Sequence, residues 1–294
     1  MNTHHFYGTG VAIVTPFLEN GDIDSHGLEQ LVEHLINGNV NYLVVLGTTG
    51  ENATLDKTEK QTVFSLVNQF NKNRVKLVAG IGGNNTKAIL NDFSSFDLTG
   101  YSAILSVSPY YNKPSQEGIY QHYKALNEAS PLPIIMYNVP GRTGMNVSTE
   151  TTLRIARDCK NIIATKEASG NVEQILQIIK DKPEGFEVIS GDDGITLPLM
   201  ACGAIGVISV VANAYPKAFS QMVACCAEGN FAAARPTHEK MLPIIHSMFA
   251  EGNPSGVKYY LSQLGVVKET FRLPVVGISN KHKEKIDELM KSIS

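Results

Sequence analysis

The 294-residue sequence has no tryptophan and only four cysteines, Cys159, Cys202, Cys225 and Cys226. None is spaced as C-x-x-C, and the adjacent Cys225 and Cys226 sit in a helical-looking run where they cannot easily bridge. A disulfide framework is therefore not expected, and a reduced, cytoplasmic setting is. The first residues, Met1-Asn2-Thr3-His4-His5, lack the basic-then-apolar profile of a secretory leader. No apolar run approaches the roughly 18 residues that a membrane span needs. No block of Lys or Arg stands out, and the net charge of −3 gives a nucleic-acid partner no electrostatic footing. The eight histidines show no H-E-x-x-H or other metal-ligand spacing, so no metal is expected. Gly80-Ile81-Gly82-Gly83 fits neither G-x-G-x-x-G nor a Walker loop and reads as a tight turn.

What the chain does have is apolar mass, with hydrophobic residues at 43% and charged residues at 18%. Short β-branched runs recur at 10–14, 42–46, 76–81, 101–107, 132–138, 161–166, 186–191 and 205–210. They are almost continuously apolar, as strands covered on both faces must be. Helical periodicity fills the gaps. Leu28, Leu31, Val32 and Leu35 share one face, and Asp56 with Glu59 forms a capping-box-like start before Val63, Phe64, Val67 and Phe70. Segments 115–129, 148–159 and 171–182 repeat the pattern. Eight strand–helix units predict a closed (β/α)8 TIM barrel over residues 1–229. An open doubly wound sheet would want a glycine phosphate turn after its first strand, which the segment from Gly10 to Pro16 does not supply. Beyond it, 230–249, 254–264 and 281–293 read as helices punctuated by Pro243, Pro254 and Pro274, a small C-terminal helical domain at 230–294.

Barrel active sites lie at the C-terminal ends of strands, so the residues just past each run are the candidates. Lys166 closes an apolar strand. Partial burial there disfavours its charge and frees the amine to attack a carbonyl; the plainer reading pairs it with Glu167. Tyr137 ends the preceding strand, where its phenol could relay protons or make one rim hydrogen bond. Thr48 and Thr49 offer hydroxyls and backbone N–H groups suited to a small carboxylate, or to capping the next helix. Arg142 could grip a carboxylate through two N–H groups or stay solvated. Asp192 and Asp193 read mainly as caps near Gly194.

Together these segments resemble the dihydrodipicolinate synthase / N-acetylneuraminate lyase superfamily, and within it the dihydrodipicolinate synthases. The resemblance covers essentially the whole chain. It rests on Gly47-Thr48-Thr49-Gly50-Glu51, Ser108-Pro109-Tyr110-Tyr111-Asn112-Lys113-Pro114 and Tyr137-Asn138-Val139-Pro140-Gly141-Arg142-Thr143-Gly144. Lys166-Glu167-Ala168-Ser169-Gly170 and Ser190-Gly191-Asp192-Asp193 complete it. It implies that Lys166 forms an imine with pyruvate. Tyr137, Thr48 and Tyr111 would relay protons, with Tyr111 reaching in from a neighbouring subunit. Thr48 and Thr49 would hold the pyruvate carboxylate, Arg142 the carboxylate of L-aspartate 4-semialdehyde, and Gly191 and Ile208 would line the pocket with backbone groups. The implied product is 4-hydroxy-tetrahydrodipicolinate, on the diaminopimelate route to lysine. No metal or organic cofactor is implied. The implied assembly is a homo-oligomer, a tetramer built as a dimer of dimers.

Feedback-inhibited members of the resembled family bind free lysine near strand 2 and the glycine-rich turn with histidine and acidic groups. This chain carries Lys57 and Lys60 in the following helix and Lys87 near the expected acid, while Asn84 and Tyr110 remain. Cations facing a lysine ligand repel it, so weak or absent inhibition by L-lysine is expected. Two rivals stand beside the main expectation. An N-acetylneuraminate lyase or keto-sugar-acid aldolase would typically lack the arginine of Gly141-Arg142-Thr143-Gly144, and a non-catalytic binding protein would have lost Lys166 or Tyr137.

Overall fold

The computed structural model describes residues 6–293; Met1 to His5, read above as lacking a leader profile, lie outside them. Eight parallel strands close into a barrel in chain order. They are β1 (Gly8–Ala12), β2 (Tyr42–Val45), β3 (Lys76–Gly80), β4 (Ala103–Val107), β5 (Ile134–Asn138), β6 (Ile162–Glu167), β7 (Glu187–Ser190) and β8 (Gly206–Ser209). The barrel expectation holds, with most strand ends displaced by a residue or two. The first strand moves most, because the apolar run at 10–14 continues past the ladder. Its true start includes Gly8 and Gly10, and a Cβ on Gly10 would lie 2.1 Å from the Tyr42 ring. Glycine there lets that ring fill the barrel floor.

Alternation divides the apolar residues into two layers. Tyr42, Val44, Val78, Leu105, Ile135, Tyr137 and Ile189 pack inside the barrel. Leu43, Val45, Leu77, Ile104, Ile134, Met136 and Val188 pack outward against the helices. One irregularity decides which way Lys166 points. Between β5 and β6 the register jumps, with Ile134 opposite Ile162 and Ile135 opposite Ala164. Ile163 is the extra residue of a bulge. Beyond it Lys166 stands opposite the inward Tyr137. Without the bulge Thr165 would take that place and Lys166 would face the helices, since a one-residue slip reverses every side chain.

The helix Lys57–Asn71 begins with the expected capping box, Asp56 and Glu59 each accepting from the other's backbone N–H at 2.9 Å. After β8 the described chain is helical: Pro216–Ala227, Phe231–Phe249, Ser255–Gln263 and Asn280–Ile293. Pro243 does not punctuate; it lies with Pro236 inside Phe231–Phe249. Tertiary packing carries the helix past both rings, with Met241, Ile244, Ile245 and Met248 buried along one face. No helix among the described residues is long and apolar enough to cross a membrane.

Candidate active site

A cavity of about 790 Å³ opens at the C-terminal mouth of the barrel. Lys166 reaches it from β6, Tyr137 from β5, Thr48 and Thr49 from the turn after β2, and Arg142 from the short helix Pro140–Thr143. Gly191, Asp192 and Asp193 contribute from beyond β7. The amine Nζ of Lys166 lies 4.2 Å from the centre of the Tyr137 ring. Gly191 is required at its position. A Cβ there would come within 3.0 Å of Lys166 Cε and 2.8 Å of Ala168 Cβ, so only a bare backbone can pass beside the lysine.

Burial pushes the Lys166 ammonium down to about 8; the Asp193 carboxylate offsets part of this, and the Arg142 guanidinium adds to it. A fall from 10.5 to about 8 raises the neutral fraction at pH 7 roughly three-hundredfold, which is what a nucleophilic amine needs. The ion pair with Glu167 is not formed. Glu167 is fully buried on the other side of the strand, accepting from Asn138 Nδ2 at 2.8 Å and from Ser169 Oγ at 2.7 Å.

Tyr137 is raised above the ordinary phenol range by burial, an effect reduced by Arg142 and by a hydrogen bond with the Thr48 side chain. It therefore carries its proton at neutral pH. Thr49 is buried, and its Oγ1 accepts from Asn253 Nδ2 at 3.0 Å. Asp192 caps as expected, accepting from the Gly194 N–H at 2.9 Å. Asp193 is not a cap of that kind. It is buried, and its Oδ2 accepts from the N–H groups of Val210 and Val211 at 3.0 and 3.1 Å.

Two expected site residues lie apart from the cavity. Ile208 is buried in the barrel's inner layer and is not part of the cavity lining, where Val210 stands instead. Tyr111 is 88% exposed, at φ 71, outside the cavity of this single chain. Sequence reasoning missed Asn253, Leu242, His246 and Phe249, which line the mouth from beyond the barrel. A search confined to strand ends has no means of finding them. A second cavity of about 350 Å³ lies beside the first and shares Thr48, Tyr137 and Arg142 with it. It runs out to Tyr110, Pro274 and Val275. Among the described residues no group of three or more His, Cys, Asp or Glu side chains is placed to hold a metal ion.

The dihydrodipicolinate synthetase family matches residues 5–293. The chain belongs to that family. It is 50% identical over 287 residues to a 4-hydroxy-tetrahydrodipicolinate synthase of Parabacteroides distasonis, covering 98% of this chain and 97% of that one. The crystal structure of dihydrodipicolinate synthase from Aquifex aeolicus superposes with a TM-score of 0.94 at 38% identity, covering 98% of both chains. A structure described as the first monomeric dihydrodipicolinate synthase variant superposes at 0.95 with 40% identity, covering 98% of this chain and 96% of that one.

Proposed function

We propose that this chain condenses pyruvate with L-aspartate 4-semialdehyde through a Schiff base on Lys166, giving 4-hydroxy-tetrahydrodipicolinate. The observation that carries the reading is a buried lysine amine, its pKa lowered to about 8, beside a protonated phenol in the barrel mouth. The free amine attacks the keto carbon of pyruvate, and loss of water leaves the imine. Arg142, Thr48 and Thr49 supply the cation, hydroxyls and N–H groups that two carboxylate-bearing substrates require. Removing a methyl proton converts the imine to an enamine, whose carbon attacks the aldehyde. The amine of the semialdehyde then displaces Lys166 as the ring closes. Gly191 and Ile208 belong to this proposal unequally: Gly191 lies against the lysine, whereas Ile208 sits in the barrel's inner layer, outside the cavity lining.

The test is turnover of pyruvate with L-aspartate 4-semialdehyde, set against pyruvate with N-acetylmannosamine, together with borohydride trapping. Mass gain on Lys166 and turnover only with the semialdehyde support the reading. Trapping with turnover only of the amino sugar would make the chain an aldolase of the neighbouring kind, and pyruvate binding without trapping would make it a sensor.

The chain is proposed to act in the cytoplasm as a homo-oligomer, a tetramer of two tight dimers. Tyr111, Leu273 and Val276 are 88%, 80% and 59% exposed, an unusual apolar display that burial against a second copy would cover. The smaller cavity gives a partner side chain a path from the region of Tyr110 to Tyr137 and Thr48. Tyr111 of the second copy is proposed to enter there and extend the proton relay. Tyr111→Phe is then expected to lower turnover by roughly tenfold to a hundredfold while imine formation on Lys166 persists. Unchanged turnover removes the shared site.

L-lysine is expected to inhibit weakly or not at all. Lys57 pairs with Asp92 at 3.4 Å, but with side chains 55% and 35% exposed the pair is weak and leaves much of the ammonium's charge to oppose a second cation. Half-inhibition of turnover at sub-millimolar L-lysine would refute this.

A further inference from the structure

We infer that Lys258, in the helix Ser255–Gln263 beyond the barrel, is a positioning residue for the carboxylate cradle at Thr48 and Thr49, acting through Glu51. The inference rests on the reading that this cradle holds the pyruvate carboxylate. Thr48–Gly50 form one tight helical turn, and Glu51 closes it at φ 52, a left-handed conformation that a non-glycine residue adopts only at a cost. Something must hold it there. The Glu51 carboxylate meets Lys258 Nζ at 2.5 Å, and the two side chains are 1% and 0% exposed. Lys258 also donates to the Thr270 carbonyl at 2.8 Å, and its ammonium lies 4.4 Å from the Phe17 ring centre and 5.1 Å from that of Phe271.

A buried ion pair of this kind is a poor way to add stability, because apolar residues of equal volume commonly do as well. What it does provide is a fixed direction and distance. Thr15 Oγ1 donates to the Gly50 carbonyl at 2.7 Å and Asn253 Nδ2 donates to Thr49 Oγ1 at 3.0 Å, so three successive residues of the turn are gripped. Two of the three grips come from the segment after the barrel. Lys258 is not part of the cavity lining, so its effect must pass through Glu51 to the turn. Displacement of a positioned group by about 1 Å can cost up to a hundredfold in rate, so loss of this anchor should register in turnover through Thr48 as well as in pyruvate binding.

The experiment compares the full-length wild type with Lys258→Met, Lys258→Arg and the double variant Glu51→Gln/Lys258→Met. It measures pyruvate KM, kcat, borohydride trapping at saturating pyruvate, and thermal unfolding. The single Met variant leaves Glu51 buried without its partner and is the one at risk of not folding; the double variant leaves no such charge and decides the matter in that event. The expected result is a pyruvate KM raised roughly tenfold in the folded double variant, with kcat lowered as well because Thr48 sits in the same turn, full trapping on Lys166 at saturating pyruvate, and partial rescue of the pyruvate KM by Lys258→Arg. A folded double variant with wild-type pyruvate KM overturns the inference, whatever its thermal stability. A wild type that traps no pyruvate would instead remove the Schiff-base reading, and this inference with it.

Discussion

Lys166→Met is expected to lower turnover by roughly four orders of magnitude or more and at the same time to make the protein more stable. The first effect follows from removing the only group proposed to bond covalently with pyruvate. Thioether sulfur cannot form an imine, so trapping disappears entirely. The second follows from the amine's titration. Its pKa falls from 10.5 in the unfolded chain to about 8 in the folded one. Between those values the unfolded state binds the proton and the folded state does not, so stability rises with pH across that window. Below about pH 8 the cost of holding the lysine in the barrel is fully present, roughly 3 kcal/mol. Methionine has nearly the same length and no charge. The variant should therefore unfold several degrees higher than the wild type at pH 7, with the gap closing as pH rises toward 10.5. The wild-type kcat/KM should climb with pH through a limb near 8 for the same reason, the free amine being the reactive form. A Met variant that unfolds at the same temperature or below at neutral pH would mean that the lysine is not desolvated. Retention of even a hundredth of the turnover would mean that it is not the nucleophile.

How far the sequence anticipates this site depends on where the deciding physics lies. Eight apolar runs between amphipathic segments are a local signal, and the barrel follows from counting them. The direction of Lys166 is another matter. Alternation cannot be read in Ile162-Ile163-Ala164-Thr165, where nothing distinguishes the two faces, so the lysine could point into the mouth or lie beside it. The bulge at Ile163 settles it, and a bulge is a property of two strands in register rather than of either alone. Asp192 and Asp193 make the same point: adjacent and chemically identical, one is half-buried and caps a turn while the other is buried against the segment just past β8. Asn253 and Lys258 were invisible for a third reason. They reach the β2 turn from about 200 residues away, and no short-range pattern encodes that contact. Residues of four of the five motifs of the resemblance line one cavity, because strand ends in a barrel converge whatever lies between them.

Tyr137→Phe is the most informative change after the lysine itself, with an expected loss of roughly 10²- to 10³-fold in turnover. The substitution removes one oxygen and leaves the ring that packs 4.2 Å from the Lys166 amine, so the cavity keeps its shape. What goes is a proton carrier. Imine formation requires the carbinolamine hydroxyl to leave as water, and a hydroxyl leaves well only when protonated. Burial raises the Tyr137 phenol above its ordinary value, so at neutral pH it holds a proton to give. The same burial disfavours the phenolate that giving would leave behind, which means the proton must be replaced as it departs. Thr48, hydrogen-bonded to Tyr137, is the group in this chain able to pass it on, since a hydroxyl donates and accepts at once. The two residues then work as one unit, and their losses should not add. Thr48→Val is expected to approach the Tyr137→Phe loss, and the double variant to fall little further than Tyr137→Phe alone. Losses that multiply would separate the pair. Turnover within about threefold of wild type in Tyr137→Phe would place the proton donor elsewhere in the cavity.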